Sequence, residues 1–202
     1  MTNLLDIIMP PKKVKMKVGL YFGSFNPVHI GHMAIANYMV EFSDIGQLWF
    51  VVSPHNPLKD KQSLLNDYDR LEMMRLAISD DPRFRVSDEE FRLPTPSYTI
   101  DTLNHLSNQY PNYEFRIIMG SDNLENFHLW RNYETIARQY KIMVYPRSGF
   151  DKNFISPLAE ITFADAPLLD ISSTFIRESV AAGKDMRYFV PDKVWKYMRK
   201  II

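Results

Sequence analysis

Lys17-Val18-Gly19-Leu20-Tyr21-Phe22-Gly23-Ser24-Phe25-Asn26-Pro27-Val28-His29-Ile30-Gly31-His32 is the stretch on which the reading of this chain turns. Its first six residues are mostly apolar and read as a buried strand. Beyond it, Met33, Ala34, Ala36, Asn37, Met39 and Val40 read as a helix packed on that strand. In the turn between them, Gly23 lets a ligand approach the backbone and Pro27 fixes the chain direction. His29 and His32 are three apart, so they share one face of the first helical turn. Free amide N–H groups and the positive end of the helix dipole lie there too, which makes a cradle suited to a polyphosphate. Taken alone, the two histidines are equally compatible with a metal pair or with plain surface residues. A metal would need further ligands, and no nearby carboxylate or cysteine supplies them.

Strand-like and helix-like segments alternate outward from this turn. Leu48-Trp49-Phe50-Val51-Val52 is a compact apolar run ending at Ser53-Pro54, followed by a polar loop from His55 to Asn66. A helix is predicted around Asp67–Ile78 and a short strand at Phe84-Arg85-Val86. Another helix opens at Pro96-Ser97-Tyr98-Thr99. Phe115-Arg116-Ile117-Ile118-Met119 and Ile142-Met143-Val144-Tyr145 read as strands, ended by Gly120 and Pro146. A last strand near Ile161-Thr162-Phe163 leads to a helix beginning at Ser172-Ser173 and a C-terminal helix after Pro191. This alternation predicts an α/β fold with a doubly wound parallel sheet. Ligands of such sheets bind beyond the carboxyl ends of the strands, so segments 23–32, 53–59, 120–123 and 145–147 should gather in one place. With no internal repeat or dividing linker, residues 16–202 are expected to form one domain. Residues 1–15 are expected to be a flexible N-terminal extension.

The chain has 202 residues, 46% of them hydrophobic, enough for a sizeable core. Twenty-four Lys and Arg balance 24 Asp and Glu, which gives no support to nucleic-acid binding. Cysteine is absent, which excludes disulfides, thiolate metal sites and cysteine nucleophiles and fits a cytoplasmic protein. No apolar run approaches the roughly 18 residues of a membrane span, so no membrane partner is expected. Lys59-Asp60-Lys61 and Asp88-Glu89-Glu90 read as solvated surface.

A second anion site is suggested by Ile171-Ser172-Ser173-Thr174-Phe175-Ile176-Arg177. Ser172 or Ser173 can cap a helix whose free amides face phosphate oxygens, and Arg177 lies one turn further on. Arg offers a forked set of donors to phosphate. On its own this segment is as readily a plain helix cap. Asp122, just past a strand and Gly120, is either a turn residue or a ribose contact. Trp130, between Leu129 and Arg131, reads as a loop or surface aromatic able to stack on a ring.

Together, G-S-F-N-P-x-H-x-G-H and I-S-S-T-F-I-R resemble the two signatures of the adenylyltransferase superfamily of nucleotidyltransferases. Four further segments resemble the nicotinate-nucleotide adenylyltransferase family: Ser53-Pro54-His55-Asn56-Pro57-Leu58-Lys59, Pro96-Ser97-Tyr98-Thr99-Ile100-Asp101-Thr102-Leu103, Met119-Gly120-Ser121-Asp122-Asn123 and Leu129-Trp130. The resemblance runs from about Lys17 to the C-terminal helix and implies a Rossmann-like nucleotidyltransferase fold. It implies adenylyl transfer from ATP to nicotinate mononucleotide, giving deamido-NAD (nicotinate adenine dinucleotide) and pyrophosphate, a step of NAD biosynthesis. His29, His32 and Arg177 would be catalytic, and with Gly23, Ser24, Phe25, Asp122, Ile171, Ser172 and Ser173 they would hold ATP. Asn26, His55, Lys59, Thr99, Trp130 and Arg131 would face the mononucleotide, Trp130 stacking on its pyridine ring and Thr99 helping to hold the carboxylate.

Mg²⁺ would enter on the ATP phosphates, so no protein metal ligand is expected. Local anions should keep the histidines charged. Two positions depart from the family pattern, Phe22 and Asn26, where glycine and aspartate are common. The G-S-F-N-P form also resembles relatives that prefer nicotinamide mononucleotide, although those usually lack the first histidine of H-x-G-H. Arg131 favours the anionic acceptor. The alternatives are a nicotinamide-mononucleotide adenylyltransferase and a non-catalytic nucleotide-binding regulator of the same fold. The oligomeric state is left open, a homo-oligomer included.

Overall fold

The computed structural model describes residues 15–54, 64–149 and 159–201. Six strands form one sheet: β1 (Met16–Gly23), β2 (Gln47–Val52), β3 (Phe84–Ser87), β4 (Tyr113–Gly120), β5 (Lys141–Tyr145) and β6 (Ile161–Phe163). Their order is β3-β2-β1-β4-β5-β6 and every neighbouring pair is parallel. The doubly wound expectation is therefore met, helices connecting β1 to β2, β2 to β3, β3 to β4 and β4 to β5 as parallel pairing requires. The chain leaves β1 toward β2 and β3, then crosses to β4 and continues to β6. The loops after β1 and β4 diverge at that switch, and the crevice between them is where a ligand fits.

Among the described residues, seven α-helices accompany the sheet: α1 (Ile30–Phe42), α2 (Asp67–Ile78), α3 (Thr99–Gln109), α4 (Ser121–Glu125), α5 (Tyr133–Gln139), α6 (Ser173–Ala181) and α7 (Asp192–Ile201). The alternation of strand side chains divides the core into two layers. Val18, Leu20, Ile117, Met119, Ile142 and Val144 face the layer closed by α3 and α5. Tyr21, Ile118, Met143 and Tyr145 face the other, closed by α1, α2, α6 and α7. Gly19 belongs to this second face. A Cβ there would stand 2.5 Å from Ile118 Cδ1 and 2.7 Å from Ile45 Cδ1, so only glycine lets those side chains close over β1.

α4 and α5 span 5 and 7 residues, too short for a periodic apolar stripe, and the sequence reading does not reach them. One expectation is corrected. Asp88-Glu89-Glu90 is not a solvated run, because Glu89 and Glu90 open a 3-10 turn (Glu89–Phe91) and are 6% and 2% exposed. Their polar partners lie on α3 and at the end of β2, far along the chain, and only the folded arrangement supplies them.

Candidate active site

The turn that carries His29 and His32, called the phosphate turn after its expected role, starts where β1 ends. A Cβ on Gly23 would come within 2.9 Å of the Phe25 ring, so this glycine makes room for a buried aromatic. Phe25 has φ 44°, the left-handed region that non-glycine residues rarely adopt. Packing holds it there, edge-on against Tyr21, His32 and Phe50 at 5.5, 5.1 and 5.5 Å between ring centroids. The Asn26–Pro27 peptide is cis. Asn26 is buried and its Oδ1 accepts from the Leu65 N–H at 3.0 Å, so its side chain is committed to the protein.

A second anchor is Arg70, which is fully buried on α2. Its guanidinium donates to four carbonyls: Ser24 at 2.6 Å, Ser53 at 2.8 Å, Pro54 at 3.1 Å and Leu65 at 3.2 Å. Asp67 supplies its counter-ion at 2.6 Å. One fork thus holds the phosphate turn, the end of β2 and the approach to α2 in fixed relation, a geometry suited to arginine and not to lysine.

His29 occupies the N-cap position of α1 and is 2% exposed. His32 stacks on it, ring centroids 3.6 Å apart, and its Nδ1 accepts from the His29 N–H at 3.2 Å. In the neutral ring that bond places the remaining proton on Nε2. The expectation that local anions keep the histidines charged concerns the loaded site; the protein alone disfavours the charged form of His29. Burial, and then the nearby Arg147 guanidinium, push its imidazole down to about 3. A bound polyphosphate would oppose that shift; in the free protein His29 is neutral.

α6 arrives from the far side. Ser172 is its N-cap, its side chain accepting from the Phe175 N–H at 3.1 Å. Ser173 Oγ donates to the Pro27 carbonyl at 2.9 Å and Arg177 Nη1 donates to the Asn26 carbonyl at 2.7 Å. The two helix starts are thereby locked together. Between them lies a cavity of about 510 Å³, a size suited to a nucleotide. Its lining includes Gly23, Ser24, Phe25, Asn26, His29 and His32 from the first turn, and Ile171, Ser172, Ser173 and Arg177 from the second. Asp122, exposed in the first turn of α4, completes it beyond the end of β4. A Cβ on Gly120 would meet Asp122 Oδ1 at 2.2 Å, so the glycine allows the carboxylate to fold back over the strand end.

The remaining sequence candidates fall elsewhere. Thr99 begins α3, outside the cavity wall. Trp130 is half-buried against the core layer of α3 and α5, its ring edge-on to Phe127 at 5.5 Å. Arg131 stands over the Tyr98 ring at 4.7 Å and pairs with Asp101 at 3.5 Å, so the Trp130 segment meets the start of α3 and forms a second group there. Its charge is shared with Asp101 and is not held free for a ligand. His55 and Lys59 lie outside the described residues.

Tyr21, Tyr145 and Arg147 also line the cavity; the sequence reading sent segment 145–147 to the crevice but named none of the three as a site residue. The Tyr21 and Tyr145 hydroxyls are 2.9 Å apart, and Arg147 Nη2 donates to Tyr145 Oη at 3.3 Å. Arg147 Nε is buried with no hydrogen-bond partner in the protein. Arg147 is therefore a second guanidinium in the cavity wall besides Arg177. The usable signal was its place just after a strand end.

The cytidylyltransferase-like family model matches residues 20–179. A protein of Flavobacterium psychrophilum named "Probable nicotinate-nucleotide adenylyltransferase" is 52% identical over 186 residues, covering 91% of this chain and 96% of its own length. The chain belongs to the nicotinate-nucleotide adenylyltransferase family. A Bacteroides fragilis member of the same name is 53% identical, over 90% of each chain. The Plasmodium falciparum nicotinic acid mononucleotide adenylyltransferase complexed with NaAD superposes with TM-score 0.73 at 19% identity, over 92% of this chain and 95% of that one. At that identity the match speaks to the Rossmann-like nucleotidyltransferase fold, which the adenylyltransferase sheet here shares. Among the described residues no helix is long and apolar enough to cross a membrane.

Proposed function

We propose that this chain transfers the adenylyl group of ATP to nicotinate mononucleotide, releasing pyrophosphate and forming nicotinate adenine dinucleotide for NAD biosynthesis. The observation that carries the reading is the pair of helix starts, α1 and α6, facing one cavity and tied by Arg177 to the Asn26 carbonyl. Two such termini suit the two ends of a triphosphate.

A phosphate oxygen of the mononucleotide attacks the α-phosphorus. A new P–O bond forms as the bond to the bridging oxygen breaks, and pyrophosphate carries the electron pair away. No protein nucleophile is needed, so catalysis rests on alignment and charge stabilisation. His32 Nε2–H serves the α-phosphoryl oxygens, His29 supports the phosphate chain, and Arg177 holds the β- and γ-phosphates. Thr99 and Trp130 hold the pyridine end, and Asp122 faces a ribose.

Mg²⁺ fits this donor set as a companion of the triphosphate. Asp122 and Asp170 are the carboxylates on the cavity wall, and among the described residues no cluster of three His, Cys, Asp or Glu is present to cage an ion. Bound through phosphate and water, Mg²⁺ would neutralise charge on the leaving pyrophosphate. A cytoplasmic setting, with ATP and the mononucleotide as small-molecule partners, goes with this reading.

The test is pyrophosphate release from ATP with nicotinate mononucleotide, nicotinamide mononucleotide and phosphopantetheine offered separately, with and without Mg²⁺. Preferential turnover of the first, abolished by chelation, is expected. Equal or greater turnover of the amide would replace the acceptor, and no turnover with any would leave a nucleotide-binding regulator.

A further inference from the structure

One buried acid has no part in the chemistry above. Glu90 is 2% exposed, and three hydroxyls surround its carboxyl: Ser53, Thr102 and Ser97. Thr102 Oγ1 donates to Glu90 Oε1 at 3.0 Å and is itself fully buried. The Ser97 hydroxyl faces the same carboxyl without reaching ordinary hydrogen-bond geometry. Burial raises the carboxyl above the usual carboxylate range, and the hydroxyls draw it part of the way back. An acid sunk among hydroxyls, with no cation in contact among the described residues, is a poor device for stability, since no ion pair there repays its desolvation.

What Glu90 does have is reach. Ser53 follows β2, and its N–H donates to the Gly23 carbonyl at 2.9 Å, at the root of the phosphate turn. Ser97 and Thr102 bracket the start of α3, where Thr102 N–H and Oγ1 both lean on the Tyr98 carbonyl at 3.3 and 3.5 Å. The same turn presents Thr99 and receives Arg131 on Tyr98 and Asp101. A continuous polar path therefore runs from Gly23 through Ser53, Glu90 and Thr102 to Tyr98.

We propose that Glu90 is a positioning residue that fixes the acceptor-binding start of α3 relative to the phosphate turn, and so governs productive binding of the acceptor mononucleotide. This rests on the assignment of Thr99 and Trp130 to the acceptor. In-line transfer is sensitive to such placement, a misfit of about 1 Å costing on the order of a hundredfold in rate.

Steady-state kinetics on Glu90→Ala, Glu90→Asp and Glu90→Gln test it. Glutamine keeps the length and the hydrogen-bonding capacity; alanine and aspartate do not span the gap. The Ala and Asp variants should raise KM for nicotinate mononucleotide by about tenfold or more while KM for ATP stays within about twofold, and Gln should restore the wild-type value. Equal rises in both KM values, or a lowered Tm with both unchanged, would overturn the proposal. Wild-type protein inactive on nicotinate mononucleotide would defeat the acceptor assignment instead. Amide hydrogen exchange then decides the linkage: exchange faster in Glu90→Ala at Ser53 and Tyr98–Thr102 alone supports it, and unchanged or uniformly faster exchange sinks it.

Discussion

The imidazoles of His29 and His32 stack with centroids 3.6 Å apart and planes inclined by 27°. Two rings so close resist carrying two positive charges unless an anion lies against them. The free protein resolves this by burying His29 next to Arg147 and leaving it neutral. A neutral His29 lowers the positive charge of the empty turn, and a polyphosphate arriving there would favour its protonation.

The first prediction concerns that charge state. His29 should titrate near 3 in the folded chain against an ordinary 6.5, so NMR should show it neutral across the physiological range. Because the folded value is depressed, the unfolded chain takes up the proton first. The stability this histidine contributes is complete above about 6.5, erodes as pH falls below that, and is gone below about 3. Arg147→Met should move the His29 titration upward, and an unmoved titration would remove Arg147 from the electrostatics of the pair.

His32→Ala should lower kcat by about 10²–10³-fold, the scale found when one preorganised donor is removed from a developing oxyanion. KM for ATP should change much less, because α1, Ser172 and Arg177 still grip the triphosphate. Pre-steady-state measurement of the chemical step gives the direct readout.

Arg177→Lys should raise KM for ATP nearly as much as Arg177→Ala. Arg177 needs one arm for the Asn26 carbonyl and another for Thr174 Oγ1, at 2.7 and 3.3 Å, and lysine cannot serve both while facing phosphate. A lysine variant with ordinary ATP affinity would argue that only the charge matters.

Gly23→Ala should destabilise the fold by about 1–3 kcal/mol, the usual cost of overfilling a packed site. The added methyl would press on Phe25, which in turn touches His32, so kcat should fall along with Tm. Thermal unfolding and turnover on the same sample check both.

Arg131→Ala should narrow the preference for nicotinate over nicotinamide mononucleotide, and Asp101→Asn should widen it by releasing the Arg131 charge from its partner. Competition between the two acceptors measures the ratio directly; an unchanged ratio in both variants would take Arg131 out of acceptor selection.

The sequence discloses the strands because each is a short apolar run ended by glycine, proline or a polar turn. It discloses both helix starts because their chemistry is local: His29 with His32, and Ser172 with Arg177, lie within one turn of each other. Most of the hidden features depend on partners remote in the chain. Arg70 looks like a surface residue of α2 until Ser24 and Ser53 converge on it, and Glu90 looks solvated until Thr102 and Ser53 enclose it. Arg147 gains its setting from Tyr145 beside it and from Tyr21 across the sheet. Even Gly23 changed meaning, since the ring it accommodates is two residues away but folded back by a left-handed backbone at Phe25.

The hydrogen bond from Arg177 to the Asn26 carbonyl joins residues 151 positions apart. During synthesis the first half of the triphosphate grip leaves the ribosome long before the second exists. The first turn of α1 leans on the same late segment, Ile30 N–H donating to the Phe189 carbonyl at 3.0 Å and Ser173 Oγ to the Pro27 carbonyl at 2.9 Å, so a chain that ends before α6 lacks both Arg177 and the support of that turn. Turnover thus requires the end of the chain to fold back onto its beginning.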